Sequence, residues 1–497
     1  MGSMPKIVIL GGGIAGITCL ETLLLEFNRD RPIYKSITLI SASKLVKRVV
    51  NYTKWGRNLE EFEVSTTDAR HLSESIIPEG LDFHFVVGSA TSIDDRKKNV
   101  HLEISEIGPN SEATISYDIL CLCNGSSPRK LNPPEGIAKS AEDLILTVRD
   151  TTSVNDLRQK LVDCEKVAII GNGGIGLELA RKISHCDLVW IVRDEFVGRP
   201  FLDSGACRFL LEPPYDETIE PDVGLIKDRP EVLSSESFFA SRGLSGPALG
   251  PHWLQDISLR GKHQSGRKLE ILYSSEVDKI TYIESGQHPV SMHIGQSKTV
   301  DCDIIVSAIG VKPNIIEFVH EKPGISSADG GILIDEQMRT SIKDIYAAGD
   351  VVSCERWSKN ELWFQMRLWT QARQMGHYCA RCIACHIAFE DPSLYFTFDC
   401  FSHSTRFFDR KLILLGRYNG QGLSDGELEQ CEAHVRMNPN KDYIKLLLRE
   451  DRVIGAVLVG ETGLEETIEN LIYDQINVAS IKGQLLDGTV DIEDYFD

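Results

Sequence analysis

The stretch that decides the fold is Lys6-Ile-Val-Ile-Leu-Gly11-Gly-Gly13-Ile-Ala-Gly16, near the start of a chain of 497 residues. The apolar run Lys6–Leu10 predicts a short buried strand, and the apolar spacing of Ile14–Phe27 predicts a helix directly after it. The glycines between them fit G-x-G-x-x-G. In that pattern the glycines permit a tight turn, admit a pyrophosphate close to the backbone, and let helix and strand pack closely. Because the helix N-terminus also offers unpaired N–H groups to phosphates, the stretch predicts a dinucleotide-binding unit.

The ribose contact of this first unit departs from the usual pattern. An acidic residue is expected near the end of the next strand, where it would bind the ribose hydroxyls. The strand predicted over Ile37–Ile40 is instead followed by Ser41 and Ser43. Their uncharged hydroxyls would bind the ribose less strongly than a carboxylate.

A second glycine pattern predicts a second dinucleotide-binding unit. It follows a strand predicted over Lys166–Ile170 and consists of Gly171, Gly173 and Gly176.

The strand predicted next in this second unit, Leu188–Val192, is followed by Arg193 and Asp194. Arg193 would meet the 2′-phosphate of NADP, whereas Asp194 would meet the 2′-hydroxyl of NAD. A third reading makes Arg193 a solvated surface residue. The sequence leaves these alternatives open.

Three further stretches join the two glycine patterns into one larger arrangement. Residues 117–128 contain an apolar strand followed by Asn124-Gly125, and Val306-Ser-Ala-Ile-Gly310 repeats this form after the second unit. Residues 340–350 end in Ala-Ala-Gly349-Asp350. In this order, over most of residues 5–380, the chain resembles the pyridine nucleotide–disulfide oxidoreductase family.

The resemblance implies FAD in the first unit and NAD(P)H in the second. Ala90 would approach the adenine, Asp350 would bind the ribityl chain, and Glu178 would lie near the nicotinamide. With the two serines, the candidate FAD-binding residues are Gly11, Gly13, Ala15, Gly16, Ser41, Ser43, Ala90, Asn124, Gly125, Gly310, Gly349 and Asp350. The candidate NAD(P)H-binding residues are Gly171, Gly173, Gly176 and Arg193.

The expected fold is therefore α/β, with two Rossmann-like dinucleotide-binding domains and a small C-terminal α+β domain. Residues 4–150 and 300–390 are the two segments of the FAD domain, which the NAD(P) domain at 151–299 interrupts. That domain carries a polar insertion at about 212–262, predicted to be a long loop. Residues 391–497 form the C-terminal domain and end in an acidic tail. Its predicted elements are strands at Lys411–Leu415, Tyr443–Leu448 and Val453–Val459 and a helix at Leu464–Ile476.

The cysteine pair of the family's disulfide reductases is missing from the sequence. No cysteine lies between residues 20 and 120, and no C-x-x-C lies in residues 151–299. The expected chemistry is hydride transfer from NAD(P)H to the flavin and then electron transfer to another acceptor, which depends on stacking and orientation. Lys47, expected in a loop after the second strand, is the candidate cation beside the flavin. A Lys47–Glu178 pair across the domains is the hypothesis, and a surface lysine is the alternative.

Composition narrows the class of protein further. The net charge of −20 argues against a broad nucleic-acid surface, and no apolar stretch approaches the length of a membrane span. The thirteen cysteines have no framework spacing, which predicts reduced thiols in a cytoplasmic and nuclear protein.

Two clusters have more than one interpretation. Cys379, Cys382, Cys385 and His386 have metal-like spacing, but buried structural thiols are the preferred reading and no metal is expected. The aromatic residues Trp363, Phe364 and Trp369 would either cover the flavin ring or belong to the core.

Residues 248–253, 368–376, 460–466 and 491–497 extend the similarity to a family member that is associated with the tRNA ligase complex. This resemblance implies that the catalytic subunit of the ligase is a partner, protected against oxidation of its metal-site cysteine. Two alternatives stay open: a stand-alone NAD(P)H oxidase, and a redox-sensing interaction protein with little turnover. The acidic tail would supply the partner contacts, through Tyr495, Phe496 and Asp497.

Overall fold

The computed structural model describes most of the chain. The residues described are 4–28, 32–104, 112–131, 143–211, 249–250, 253, 257–264, 266–283, 286–295, 298–355, 357, 361–392 and 398–487. Of the predicted insertion, residues 212–248 lie outside this set. Among the described residues, no helix is long and apolar enough to cross a membrane.

A five-stranded parallel sheet forms the first unit, with Lys6–Leu10 as its central strand. All residues of that strand except Lys6 are buried, as expected for a parallel sheet covered on both faces. The helices Ile14–Leu25 and Trp369–Ala388 pack against each other beside it. One edge strand comes from after the second unit, so the first unit is made from two segments. The strand order is Ile345–Ala347, Ile119–Leu122, Lys6–Leu10, Ser36–Ser41, Asp82–Val87.

A second five-stranded parallel sheet forms the second unit around Lys166–Ile170. The helices of this unit are Thr151–Leu161, Gly174–Lys182 and Ser204–Leu211. The strand order is Ile145–Leu146, Ile304–Ser307, Lys166–Ile170, Asp187–Ile191, Leu269–Leu272. Two of these strands, Ile145–Leu146 and Ile304–Ser307, fall in the segments predicted for the first domain.

Smaller β-structures flank the two sheets. The strands Leu45–Lys54 and Glu60–Asp68 form an antiparallel pair, which we call the hairpin. The short helix Arg70–Ser75 follows it. The remaining small sheets consist of Ser89–Asp94, Asn99–Glu103, Glu112–Ser116 and Glu317–Phe318; of Val277–Tyr282, Val290–Ile294 and Lys298–Cys302; of Ser126–Pro128 and Val311–Pro313; and of Ile332–Leu333 and Val352–Ser353.

The C-terminal unit is an antiparallel five-stranded sheet with the helix Glu465–Asp474 against it. A short helix, Asp425–Leu428, precedes its edge strand. The α/β fold with parallel sheets and a small C-terminal α+β unit is thus confirmed. The strand order is Ser402–Phe407, Arg410–Gly416, Arg452–Gly460, Asp442–Arg449, Glu432–Asn438.

The prediction that Lys47 lies in a loop is wrong. Lys47 lies in the strand Leu45–Lys54, where it pairs with Thr66 across the hairpin. The turn after Ser41 occupies only three residues before this strand begins. A strand accommodates the adjacent Lys47 and Arg48 because successive side chains point to opposite faces of the sheet.

Candidate functional site

The first glycine loop has the geometry that a bound pyrophosphate needs. Gly11 has φ +128°, and a Cβ there would lie 2.1 Å from the carbonyl oxygen of Cys123. A Cβ on Gly16 would lie 1.9 Å from the Gly11 oxygen. In contrast, nothing lies within 4 Å of a Cβ on Gly13. Two glycines are therefore required by the packing of the protein, while Gly13 leaves space in front of the helix N-terminus.

The second loop repeats the same three features. Gly171 has φ +122°, and its Cβ would lie 2.2 Å from the carbonyl oxygen of Ala308. A Cβ on Gly176 would lie 2.9 Å from the Gly171 oxygen, whereas nothing lies within 4 Å of one on Gly173. The two loops are thus equivalent binding surfaces on two different sheets.

A cleft of about 960 Å³ opens in front of the first loop. Its volume is at the upper end of the range for sites that bind small molecules and cofactors. Its lining includes Gly11, Gly13, Ala15, Ser41, Ser43, Ala90, Asn124, Gly125 and Asp350.

Three predicted FAD-binding residues do not line this cleft. Gly16 is used for packing, and Gly349 has φ +79° with its Cβ position 2.8 Å from the Cβ of Ala15, behind the loop. Gly310 has φ +92°, and its carbonyl accepts a hydrogen bond from the Arg129 N–H at 2.8 Å.

Asp350 joins a polar network at one wall of the cleft. Its Oδ2 accepts from Ser126 Oγ at 2.8 Å and from Arg149 Nη2 at 2.9 Å. The backbone carbonyl of Asp350 accepts from Arg367 Nε at 2.9 Å. Sequence reasoning missed Arg149 and Arg367, because only the fold brings them to the cleft.

The side-chain amide of Asn124 provides evidence on whether the cleft fits a bound cofactor. Its Nδ2 donates to the carbonyl of Asn314 at 2.5 Å. Its Oδ1 is buried and has no hydrogen-bond partner among the described residues. A buried acceptor without a donor costs free energy, which a ligand in the cleft offsets by donating to it. With the open space at Gly13, this acceptor fits a polar dinucleotide such as FAD.

Ser41 and Ser43 lie beside the first loop but already make local hydrogen bonds. Ser41 Oγ accepts from the Ser43 N–H at 3.3 Å, and Ser43 Oγ accepts from the Leu45 N–H at 3.0 Å. The Ser41 hydroxyl only accepts in the first of these bonds, so a ribose contact through its own proton is compatible with that bond.

Lys47 is buried beside the first loop rather than exposed. Its Nζ donates to Thr66 Oγ1 at 2.6 Å, and its backbone N–H donates to the carbonyl of Gly12 at 3.0 Å. Burial lowers the pKa of Lys47 to about 8, partly offset by the nearby Asp150 carboxylate, which raises it. The surface-lysine alternative is therefore excluded by the structure.

Glu178 lies at a small cavity of about 160 Å³ between the second unit, the hairpin and the C-terminal sheet. Burial raises its pKa to about 7, and the hydrogen bond that Trp253 Nε1 donates to Glu178 Oε2 at 2.8 Å lowers it. The expected Lys47–Glu178 pair is absent from the described part of the chain, because each side chain has another partner. Trp253 gave no signal in the sequence that would have linked it to Glu178.

Arg193 and Asp194 stand in different environments at the end of their strand. The Arg193 side chain is 77% exposed and lies 3.9 Å from Glu276. The Asp194 carboxylate is held by Asn172 Nδ2 at 2.8 Å and Arg199 Nη1 at 3.1 Å. The Arg193 guanidinium therefore has fewer close polar partners than the Asp194 carboxylate and is more exposed.

The aromatic residues divide between the core and the cleft. Trp363 stacks on Trp357 with ring centroids 5.3 Å apart, and Phe364 stacks on Phe401 at 4.3 Å. Trp369, at the start of the long helix, lines both the cleft and the small cavity. Core packing therefore explains the first two residues, and Trp369 alone borders the candidate site.

Buried thiols form a cluster in the first unit. Cys121 Sγ lies 3.5 Å from the sulfurs of Cys123 and Cys379 and 3.8 Å from that of Cys19. His386 bonds instead to Tyr346 Oη, 2.6 Å from its Nδ1. Cys379 and His386, which share the metal-like spacing in the sequence, therefore lie in separate environments, and Cys19 is a neighbour that the spacing did not indicate.

Comparisons with known proteins place this geometry in a family. The family described as Pyridine nucleotide-disulphide oxidoreductase matches residues 5–237 and 259–376. The Rubredoxin NAD+ reductase C-terminal domain matches residues 422–476. The first match covers most of both dinucleotide units, and the second covers three strands and the helix Glu465–Asp474 of the C-terminal unit.

Curated relatives match over the full length of the chain. The human protein named "Pyridine nucleotide-disulfide oxidoreductase domain-containing protein 1" is 36% identical, with 99% of this chain and 98% of the relative covered. The Danio rerio protein of the same name is 39% identical, with the same coverage. The solved water-forming NADH oxidase from Lactobacillus brevis bound to NADH has a TM-score of 0.61 at 16% identity, covering 96% of this chain and 92% of its own.

Proteins of this family use FAD and NAD(P)H, the cofactors predicted for the two glycine loops. With the family profile matched over both dinucleotide units and full-length relatives above 30% identity, this chain belongs to the pyridine nucleotide–disulphide oxidoreductase family.

Proposed function

We propose that this protein is an FAD-dependent oxidoreductase that takes hydride from NAD(P)H without a dithiol relay. The observation that carries the proposal is the pair of equivalent loops, each with open space at its middle glycine, Gly13 or Gly173. The bound flavin would accept hydride from the nicotinamide and pass electrons onward.

The side chains bind and orient the two cofactors. The helix N-termini after Gly13 and Gly173 would hold the two pyrophosphates. Lys47 is buried in the hairpin and is hydrogen-bonded through its backbone to Gly12, so it would place a positive charge beside the first loop. Glu178 would place a carboxyl beside the nicotinamide, close to Trp369.

Two matched substitutions test the proposal. Gly13→Val and Gly173→Val each place a side chain in an open space, since nothing in the described part of the protein lies within 4 Å of a Cβ at either position. We expect Gly13→Val to fold with its FAD content reduced at least about tenfold, the effect of some 1.4 kcal/mol. Gly173→Val should keep FAD but lose its reduction by NAD(P)H, followed anaerobically as bleaching of the flavin absorbance.

Each variant is the control for the other. Normal FAD content in Gly13→Val, or normal flavin reduction in Gly173→Val, would overturn the proposed use of that loop. Unfolding of either variant would appear as a lowered Tm and is separable from cofactor loss by circular dichroism.

A second candidate function is a stand-alone NAD(P)H oxidase. The observation that favours it is a relative named "NADH oxidase" from Methanocaldococcus jannaschii, 24% identical over 70% of this chain and 63% of the relative. Oxygen consumption with NADH and NADPH tests it. Rapid multiple turnover with oxygen alone would favour the oxidase, and slow turnover would favour a function that needs a protein partner or a sensor with little turnover.

We further propose that the partner is the catalytic subunit of the tRNA ligase complex, which this protein would protect from oxidation in the cytoplasm and nucleus. Support comes from the resemblance in sequence and from the acidic tail, residues 487–497, which suits a basic or metal-bearing pocket. Tyr495, Phe496 and Asp497 lie outside the described residues.

A further inference from the structure

Trp253 belongs to the predicted insertion at about 212–262, and its side chain contacts the helix Gly174–Lys182. Its indole N–H donates to Glu178 Oε2 at 2.8 Å. Among the described residues, no other hydrogen bond to the Glu178 carboxylate is present. A single donor from a distant part of the chain therefore fixes this side chain.

The same stretch also contacts the first unit. The carbonyl of Leu249 accepts from Trp369 Nε1 at 3.1 Å, and its N–H donates to the carbonyl of Arg149 at 2.8 Å. Leu249 is buried and lines the cleft in front of the first loop. Leu249 and Trp253 thus contact the two sides of the region where the cofactors would meet.

Gly250 explains why this stretch can approach so closely. A Cβ on Gly250 would lie 2.8 Å from Cβ of Val64, on the second strand of the hairpin. The backbone therefore lies directly against the hairpin, and its position is set by packing as well as by hydrogen bonds.

Other charges around the small cavity are largely compensated. Glu60 pairs with Arg373, Glu61 lies 4.0 Å from Arg406, and Arg181 lies 3.3 Å from Asp409. Glu178 has no such cationic partner in the described structure. The charged side chains that line the cavity besides Glu178 are Glu60, Glu61, Arg181, Lys182, Arg406 and Asp409.

Neighbouring His403 does not supply a charge to Glu178. It is buried beside Thr370, with 3.0 Å between Thr370 Oγ1 and its Nδ1. Burial lowers the pKa of His403 to about 3, so its imidazole is neutral at physiological pH. Protonation of Glu178 therefore depends chiefly on its burial and on Trp253.

We propose that Trp253 is a positioning residue for the hydride transfer: its indole N–H holds the Glu178 carboxylate beside Trp369 and so sets the pH range in which NAD(P)H reduces the flavin. This inference rests on the proposed function. With NAD(P)H bound, an ionised Glu178 would stabilise positive charge that develops on the nicotinamide ring, and a protonated Glu178 would not.

The sign of the pH effect follows from the hydrogen bond. Because burial raises the Glu178 pKa to about 7, flavin reduction should accelerate as pH rises through that value. The Trp253 N–H stabilises the ionised form and lowers the pKa. Its removal should therefore move the rise in rate to higher pH.

The test is the rate of flavin reduction by NADH, measured anaerobically by stopped flow in the holoenzyme between pH 5.5 and 9. Trp253→Phe keeps an aromatic ring and removes the donor. We expect its midpoint to lie about one pH unit above that of the native protein, since a hydrogen bond to a charged group contributes about 1.5 kcal/mol. Trp253→Gln, whose amide can donate from a similar distance, should restore most of the shift. Glu178→Gln should abolish this pH step.

Trp357→Phe is the matched control, because Trp357 Nε1 donates to the carbonyl of Asp335 in an aromatic cluster away from the cavity. An unchanged midpoint in Trp253→Phe, or a retained step in Glu178→Gln, would refute the inference. If the native holoenzyme is not reduced at any pH, the proposed function itself fails. Should Trp253→Phe lose FAD, the pH titration of the Glu178 carboxyl decides, followed in the native protein and in Trp253→Phe by the infrared carboxyl band that Glu178→Gln removes. A midpoint above the native one supports the inference, and an equal midpoint contradicts it.

Discussion

At the scale of single residues, we expect Arg193 to determine whether the second unit distinguishes NADPH from NADH. Its guanidinium is exposed and only 3.9 Å from Glu276, a weak surface pair. Asp194, the alternative ribose ligand, is already held by Asn172 and Arg199. If the ribose binds at the end of this strand, the Arg193 guanidinium would be the more available charge, and we therefore expect a preference for NADPH.

Arg193→Ala should consequently raise KM for NADPH about tenfold, the effect of some 1.4 kcal/mol. KM for NADH should change little, because NADH has no 2′-phosphate. Steady-state kinetics with both nucleotides measure this, and Arg208→Ala, another arginine of the same unit, serves as the control. An equal change for NADH and NADPH would contradict the assignment.

Residues whose role depends on local sequence were predictable. Gly11 and Gly171 stand at turns that need positive φ, and the spacing alone identified them. Arg149 and Trp253 were not predictable, because their partners Asp350 and Glu178 lie far away along the chain. A hydrogen bond between distant segments leaves no periodic signal in the sequence.

At the scale of elements, the contact between the helices Ile14–Leu25 and Trp369–Ala388 supports the first loop. A Cβ on Gly376 would lie 2.3 Å from the carbonyl oxygen of Ala15 and 3.0 Å from its Cα. Both are backbone atoms, so the clash cannot be relieved by a side-chain rotation. Ala15 also lines the cleft, which couples this packing to cofactor binding.

Gly376→Ala should therefore destabilise the protein by about 1–3 kcal/mol, the usual cost of overpacking a core. We expect a lower Tm and a lower FAD content, measured by thermal unfolding and by flavin absorbance. Gly426→Ala is the matched helical control, because nothing lies within 4 Å of its Cβ. Equal Tm values for the two variants would argue against a tight helix contact.

Elements with a buried apolar pattern were predicted well. Lys166–Ile170 has the predicted bounds, because an apolar run ending in glycine specifies both the strand and its end. The strand Leu45–Lys54 was missed, since its exposed half is polar and its pairing with Glu60–Asp68 depends on a turn between them.

At the scale of the whole molecule, the C-terminal unit is fastened to the first unit by a buried carboxylate. Glu469 accepts from the backbone N–H groups of Arg57, Asn58 and Leu59 at 2.8, 2.8 and 2.7 Å. These three donors belong to the turn of the hairpin, whose first strand contains Lys47. The C-terminal unit thus helps to fix the hairpin that borders the candidate site.

The last described residues are attached to the edge of the C-terminal sheet. Lys482 Nζ donates to Glu432 at 2.7 Å and to Asp451 at 2.6 Å, and Arg436 Nη1 donates to the carbonyl of Leu486 at 3.4 Å. Removal of residues 488–497 therefore leaves these contacts intact. It removes the acidic ending and its aromatic pair, the features on which the proposed ligase contact rests.

Deletion of residues 488–497 should abolish co-purification with the tRNA ligase complex while FAD content, Tm and flavin reduction by NADH stay native. Two substituted full-length chains separate the contributions. Tyr495→Ala with Phe496→Ala keeps the charge, and Asp491→Asn with Asp494→Asn keeps the rings. If the acidic residues attract the partner, the affinity of the Asp491→Asn, Asp494→Asn variant should depend less on salt concentration than that of the native protein. If the rings are a buried anchor, the Tyr495→Ala, Phe496→Ala variant should bind more weakly at every salt concentration. Retained association of the truncated chain would place the partner surface elsewhere on the molecule.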